Sequence, residues 1–489
     1  MKDQLSPHQQ GLDRRQFMKA VSVAGIGLAL SDLNLAQQAR PRRRYAIVGT
    51  GARHTMYRDA ILGRYKDYAE LVALCDLNPG RLELSRQAAA ASGAEVPGFV
   101  HTDFVRMIQQ TRPDVVIVTT VDATHDQYIV LALENGCDVI TEKPLTTTAQ
   151  KCQRILDARR KTGGRIRVTF NYRYSPPRTQ VKEILSSGQI GQILSVDFHW
   201  LLNTHHGADY FRRWHSQKAS SGGLMVHKAS HHFDLVNWWL SAVPVTVFAT
   251  GKRDFYTPQM ARRMGVEGPQ QRCKTCKQKD RCGFYLDLAA NPSLKALYLD
   301  QEHHDGYFRD QCVFRPQIDI EDTMNVIVHY DTGASLSYSL NAFNAWEGYV
   351  IAFNGTKGRL EHSIVEQIYI SGTDSIQGGI AAGGVSTRIV PLRGAPKVIE
   401  PWTGVGSHGG GDQVMLDDIF LPEPPKDKYM RTSDERGGAW AALVGIAANL
   451  CFQTGQPVRI ADLVSGLERP DYPPMPDWQE QVPMPPNTT

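Results

Sequence analysis

Short apolar runs alternate with helical patterns along the first third of the chain. Tyr45–Val48 reads as a strand running into Gly49-Thr50-Gly51-Ala52-Arg53-His54, and a helical pattern follows over 56–65. Leu71–Cys75 is a second strand and ends at Asp76. Asp114–Thr120 is another, 125–136 a helix, and Asp138–Thr141 a strand that reaches Glu142-Lys143-Pro144. Strands joined by crossover helices predict a parallel sheet with helices on its faces. The second half changes pattern: Ile193–Trp200 and Val245–Thr250 are strand-like. Met324–Tyr330, the turn Asp331-Thr332-Gly333 and Ala334–Asn341 form a hairpin. Seven prolines among the last 21 residues (Pro470, Pro473, Pro474, Pro476, Pro483, Pro485, Pro486) forbid helix and favour an extended arm over 466–489, strapped to a neighbour or free.

The length of 489 residues, with 42% hydrophobic and 21% charged residues, allows two or three domains and excludes disorder over most of the chain. Formal charge is +4, but residues 1–44 hold eight of the 54 Lys/Arg and only three of the 50 Asp/Glu. The remaining body is near neutral, which gives a nucleic acid or an anionic membrane no electrostatic support. The basic start contains Asp13-Arg14-Arg15-Gln16-Phe17-Met18-Lys19 and an apolar run from Ala20 to Leu30, too short to span a bilayer. It resembles a bacterial twin-arginine export signal over 1–40, an address read by the twin-arginine export machinery. The expectation is a periplasmic protein exported already folded, able to carry a cytoplasmic cofactor with it, and with no membrane attachment after processing.

Strand, glycine turn and helix at 45–65 suit a dinucleotide. Gly49 and Gly51 allow a tight turn and close approach to a pyrophosphate, with Ala52 and Arg53 at the helix N-terminus that meets its charge. The third glycine position is His54. Asp76, 22 residues past His54, sits where an acid binds the adenosine ribose, which favours NAD; Arg81 nearby keeps NADP open. Ligands of such sheets gather at the carboxyl ends of strands, where Thr119, Thr120, Glu142 and Lys143 also fall. Lys143, stiffened by Pro144, is placed to hold a substrate hydroxyl beside the nicotinamide.

The glycine turn, Asp76 and Glu142-Lys143-Pro144, in that order, resemble the glucose-fructose oxidoreductase, inositol dehydrogenase and rhizopine-catabolism (Gfo/Idh/MocA) family over about 44–460. A further match is the segment Gly222-Gly223-Leu-Met-Val-His227-Lys228-Ala-Ser-His231-His232-Phe-Asp234. His231 stands at the family's catalytic histidine and Asp234 at the acid after it. His227 stands where the family has aspartate, so its Lys-Asp-His triad appears here as Lys143, His227 and His231. The resemblance implies an α/β chain: a Rossmann domain over 44–168, then an α+β domain over 169–465 with an open, mainly antiparallel sheet. One face of that sheet covers the substrate and the other builds a homo-oligomer.

Oxidising a secondary alcohol removes a hydride and a proton, so a base must face the reacting carbon, and neutral histidine suits this. Residues 227 and 231 share a helix face, although paired histidines also serve as core residues or metal ligands. Tyr172 and Arg173, in Asn171-Tyr172-Arg173-Tyr174, are expected to face the cleft with Lys228; His232 is a further substrate candidate, with a buried hydrogen-bonding role as its alternative. Tyr210, Arg212, Arg213, Trp214 and His215 read as a sugar-binding loop or an ordinary exposed one. Asp412 reads as a helix N-cap after His408-Gly-Gly-Gly. Cys273, Cys276, Cys282 and Cys312, in an insertion over 252–318, suit a structural zinc; two disulfides or an iron–sulfur cluster are the alternatives. The remaining cysteines, Cys75, Cys137, Cys152 and Cys451, read as core residues. The chain thus reads as an NAD(P)-dependent oxidoreductase acting on a secondary hydroxyl of a sugar, glycoside or cyclic polyol. Three rivals remain: an NAD-dependent glycosidase working by transient oxidation and elimination, which would use the same residues, a self-recycling sugar–sugar oxidoreductase, and a non-catalytic sugar or NAD sensor, disfavoured because Lys143 and His231 are both retained.

Overall fold

The computed structural model describes residues 41–268, 271–476, 481, 482 and 484. The expected export signal over 1–40 lies outside the described residues. Six strands, β1 (Arg43–Val48), β2 (Ala69–Asp76), β3 (Gly98–Val100), β4 (Val115–Val118), β5 (Asp138–Thr141) and β6 (Ile166–Val168), form a parallel sheet in the order β3-β2-β1-β4-β5-β6. Successive residues of a strand face opposite ways, and both faces are apolar. Val48, Cys75, Val116, Val118 and Val139 belong to one core; Ile47, Leu74, Val115, Ile117 and Ile140 belong to another. Burial on both faces explains why these strands read as continuous apolar runs. The second of these cores is completed by Met415, Leu416, Ile419 and Phe420 of the helix Gly411–Phe420, so the chain returns to the first domain from deep within the expected second one. Strand order reverses between β1 and β4, which opens a crevice at their carboxyl ends.

The second sheet has nine strands: β7 (Ile193–Asn203), β8 (Pro244–Lys252), β9 (Thr323–Tyr330), β10 (Ser335–Asn344), β11 (Glu347–Gly355), β12 (Gly358–Glu366), β13 (Ile380–Pro391), β14 (Lys397–Val398) and β15 (Val458–Arg459). Their order is β14-β13-β12-β11-β7-β10-β9-β8-β15, antiparallel throughout except for the parallel pair β7 and β10. Val196, Phe198, Trp200 and Leu202 alternate inward from β7 onto the helices Ser230–Leu240 and Glu435–Thr454 and their surroundings. Phe248, Ile327, Val350 and Val365 are exposed on the strands' other positions.

Two connections matter for the site. The cysteine-rich insertion between β8 and β9 lies against the first domain: Asn78 Nδ2 donates to Gln301 O (2.9 Å), and Arg81 pairs with Asp305. A Cβ on Gly80 would fall 1.8 Å from Gln301 Oε1, so a larger residue there would move that side chain. The tail, in its described part, straps its own chain. Ser241 Oγ donates to Pro473 O (2.6 Å), Trp440 Nε1 to Glu468 O (2.9 Å), and Tyr472 and Met475 pack on the core. Among the described residues no helix is long and apolar enough to cross a membrane.

Candidate active site

A cavity of about 900 Å³ opens at the β1/β4 crevice and runs beneath the second sheet; Gly49, Gly51, Ala52, Arg53, Asp76, Thr119 and Lys143 all border it. Gly49 has φ +92°, and a Cβ there would lie 2.7 Å from the carbonyl carbon of Thr119, so only glycine fits. A Cβ on Gly51 would meet nothing within 4 Å, leaving its bare backbone facing the cavity. His54, in place of a third glycine, is buried and ties the turn to the next helix through Gly51 O (2.5 Å) and Ser85 Oγ (2.7 Å). Burial pushes its imidazole down to about 4, so it is neutral near pH 7.

Asp76 braces the same turn. Its carboxylate accepts from the Thr50 amide, from Thr50 Oγ1 (2.9 Å) and from the Asn78 amide (2.6 Å). Arg81 lies 4.0 Å from Asp76 and is occupied by Asp305 of the insertion, so that clasp sits beside the expected ribose position. Thr119 Oγ1 donates to Gly49 O (2.6 Å), and Thr120 Oγ1 accepts from Thr124 (2.9 Å). Glu142 serves the scaffold: it accepts from Arg53 Nε (2.7 Å) and Tyr57 OH (2.8 Å). Arg53 also reaches Asp412 (3.3 Å), which accepts from Asn171 (2.6 Å) and meets His408 Nδ1 (3.0 Å). Asp412 is therefore a hub and not the expected N-cap; that position is Gly410.

The chemistry-bearing side chains meet under β7. The Lys143–Pro144 peptide is cis. Lys143 Nζ donates to His227 O (3.0 Å) and lies 3.4 Å from His227 Nε2. Burial lowers its ammonium to about 8, with Asp122 and Glu142 opposing the shift. On the far side of its ring, His227 Nδ1 meets Asp122 Oδ2 at 2.5 Å. An ammonium can only donate, so Nε2 accepts and the Nδ1 proton points to Asp122. Burial raises the Asp122 carboxyl, while Lys143 and Arg213 pull it down. Asp122 was not anticipated; its signal was its place in Thr119-Thr120-Val121-Asp122 at the end of β4. It restores a carboxylate to the set in which His227 replaces the family aspartate.

His231 borders the cavity, stacks on Tyr172 at 4.5 Å, and its Nδ1 has no hydrogen-bond partner. Burial, then Lys143 and His408, hold it well below the usual imidazole value, so it is neutral and one ring nitrogen keeps an open lone pair. Tyr210, on the helix Thr204–Arg212, and Arg213, Trp214 and His215 after it line the cavity, and so does Lys228. Arg212 does not; it donates to Phe284 O (3.1 Å) inside the insertion.

Two expected substrate contacts are corrected. Arg173 is 1% exposed and forms a buried two-point pair with Asp234 (2.7 and 2.5 Å), away from the cavity. His232 points into the core under the second sheet, stacked on Trp200 (4.0 Å) with Nδ1 on Tyr338 OH (2.7 Å). Helical geometry explains it: residues 231 and 232 project about 100° apart, so only one can face the cleft. The zinc expectation is not supported either. All four insertion cysteines are free, and among the described residues no group of three or more His, Cys, Asp or Glu is arranged to hold a metal ion. Burial raises the Cys312 thiol to about 11, and Cys273, Cys282 and Cys276 add to the shift.

Comparison with known proteins agrees with this architecture. Residues 43–170 match the family model of the oxidoreductase family NAD-binding Rossmann fold, and residues 182–460 match that of the oxidoreductase family C-terminal alpha/beta domain. The oxidoreductase YteT of Bacillus subtilis is 38% identical over 398 residues, covering 80% of this chain and 91% of its own. Inositol 2-dehydrogenase 2 of Saccharopolyspora erythraea is 31% identical over 204 residues, covering 41% of this chain and 52% of its own. Among solved structures, the aldose-aldose oxidoreductase of Caulobacter crescentus aligns with TM-score 0.55 and 18% identity, over 86% of this chain and all of that one.

Proposed function

The chain belongs to the Gfo/Idh/MocA oxidoreductase family, and from that premise we propose that it is a periplasmic enzyme that moves a hydride between NAD and a secondary hydroxyl of a sugar, glycoside or cyclic polyol. It is an NAD(P)-dependent oxidoreductase acting on CH–OH. The observation that carries the substrate reading is that Lys143, His231 and the Asp122–His227 pair border the same cavity as the Gly49–Gly51 turn and Asp76. The substrates in the relatives' names, inositol and aldoses, are of the proposed class.

The residues present fit NAD: Gly51 leaves a cradle that a Cβ would fill, and Asp76 holds a carboxylate at the ribose position beside it. When bound, the nicotinamide supplies the hydride acceptor. The chain does the rest. Lys143 donates a hydrogen bond to the reacting oxygen, and neutral His231 takes the hydroxyl proton. Asp122 fixes the His227 tautomer, which in turn orients Lys143. The aromatic faces of Tyr172, Tyr210 and Trp214 line the sugar space.

The insertion favours a second reading of the cofactor's role. Its contacts at Asn78, Gly80 and Arg81 close over the adenosine edge, so we read the cofactor as retained between turnovers. That suits a self-recycling sugar–sugar oxidoreductase or an NAD-dependent glycosidase as much as a dehydrogenase that releases NADH. The exposed apolar positions of the second sheet support a homo-oligomer through that face. The test is mass spectrometry of the purified protein for bound nucleotide, then a sugar panel followed by absorbance of the reduced cofactor. Lys143→Ala and His231→Ala should each lower turnover by roughly two to four orders of magnitude while NAD stays bound. Near-normal turnover in either variant would move the site elsewhere.

A further inference from the structure

One cation in the cavity is left over by the chemistry of a secondary hydroxyl. Lys228 borders the cavity and is 6% exposed, yet its Nζ has no hydrogen bond or ion pair among the described residues; it lies over the rings of Trp200 (4.5 Å) and Tyr172 (5.9 Å). The two acids that favour its charge are already engaged. Glu347 meets His206 Nδ1 (2.8 Å) and the Asn203 amide (2.7 Å), and Glu366 pairs with Arg178 (2.5 Å). Arg213 adds to the imbalance. Its Nε is buried without a partner, and the acid it pairs with among the described residues, Asp209 at 3.4 Å, is shared with Arg309 at 2.6 Å. Both cations act on His227, which places them at the chemical end of the cavity. Asp122 is bound to His227, and His215, His227 and His231 are held neutral by burial. Among the described residues no carboxylate there pairs with Lys228.

A buried ammonium without a counter-ion is costly, and ring faces compensate only in part. A neutral sugar would leave that cost standing. We infer that Lys228, with Arg213, forms a subsite for a carboxylate on the substrate, so that the substrate class is an acidic sugar such as a uronic or aldonic acid. This rests on the oxidoreductase reading of the same cavity. A carboxylate is favoured over a phosphate because one unmatched ammonium balances one negative charge.

The test uses the full-length, NAD-loaded protein with matched sets: D-glucose, D-glucuronate and D-glucose 6-phosphate, and the same three in the galacto series, plus D-gluconate. Binding is read by calorimetry and turnover by cofactor reduction. An acid of the panel should exceed its neutral partner by roughly 10- to 100-fold in affinity or kcat/KM, the worth of a charged hydrogen bond. Lys228→Met should bring that ratio to within about threefold, and Arg213→Gln should lower it, which covers the case where the lysine variant does not fold. Equal handling of acid and neutral sugars, or an unchanged ratio in a folded Lys228→Met, would overturn the subsite. A preference for the phosphate would overturn the carboxylate assignment. If no sugar is oxidised, the oxidoreductase reading fails; acid binding that Lys228→Met weakens would still support the subsite, and no acid binding would overturn it.

Discussion

Removal of Asp122 tests whether the carboxylate from β4 works through His227. In Asp122→Ala the Nδ1–H of His227, whose nitrogen now lies 2.5 Å from a carboxylate oxygen, faces an empty buried pocket. A buried hydrogen bond to a charged group is worth about 1.5–3 kcal/mol. If that order is needed only when Lys143 must hold the reacting oxygen, kcat/KM falls by about 10- to 150-fold, at about 1.4 kcal/mol per decade. The fall should lie in kcat more than in KM, because Asp122 orients groups and does not fill the sugar space. Asp122→Asn keeps an oxygen that accepts the Nδ1 proton and should recover much of the loss. The assay is steady-state kinetics on the best sugar of the panel, with bound NAD quantified by mass spectrometry to show that the first domain is intact. Asp122→Ala with kcat within about twofold of wild type and full NAD occupancy would refute the positioning role.

Other parts of the account have their own readouts. Asp76→Ala should weaken NAD binding and narrow any preference over NADP, since the ribose loses an acceptor while a 2′-phosphate loses a repulsion; equal loss for both cofactors, by titration, would remove Asp76 from that role. The Lys143 ammonium is lost as pH rises through about 8 instead of the ordinary lysine value. If the cation holds the substrate oxygen, kcat/KM should fall with a one-proton limb near that pH, and Lys143→Gln should erase the limb; a profile flat to pH 10 would contradict it. Arg173→Ala strands the buried Asp234 carboxylate and should destabilise the fold by about 3–5 kcal/mol in denaturant titration, whereas a loss of under about 1 kcal/mol would show that the pair is dispensable.

What the sequence disclosed depended on how local the signal was. Gly49, Gly51, Asp76 and Lys143 each end or follow an apolar strand, so their shared edge follows from alternation and spacing alone. The Asp122–His227 contact joins residues 105 apart, and the Arg173–Asp234 pair joins residues 61 apart; no periodicity links either pair. Arg173 and His232 looked like site residues because they adjoin Tyr172 and His231, but a one-residue step along a short helix turns the side chain from cleft to core. The insertion misled in another way: four cysteines suggested a metal, while the segment's visible work is done by Gln301 and Asp305 against Asn78 and Arg81.

The central claim is that this cavity passes hydride between a sugar carbon and bound NAD with His231 as the base. The direct measurement is deuterium transfer: incubate the NAD-loaded protein with ring-deuterated sugars or sugar acids, denature it, and weigh the released cofactor. Deuterium on the nicotinamide in the wild type, and its near absence in His231→Ala with NAD still bound, is the expected result, whether or not free NADH accumulates. Sugar binding with no label on the cofactor, or equal labelling in His231→Ala, would contradict the account.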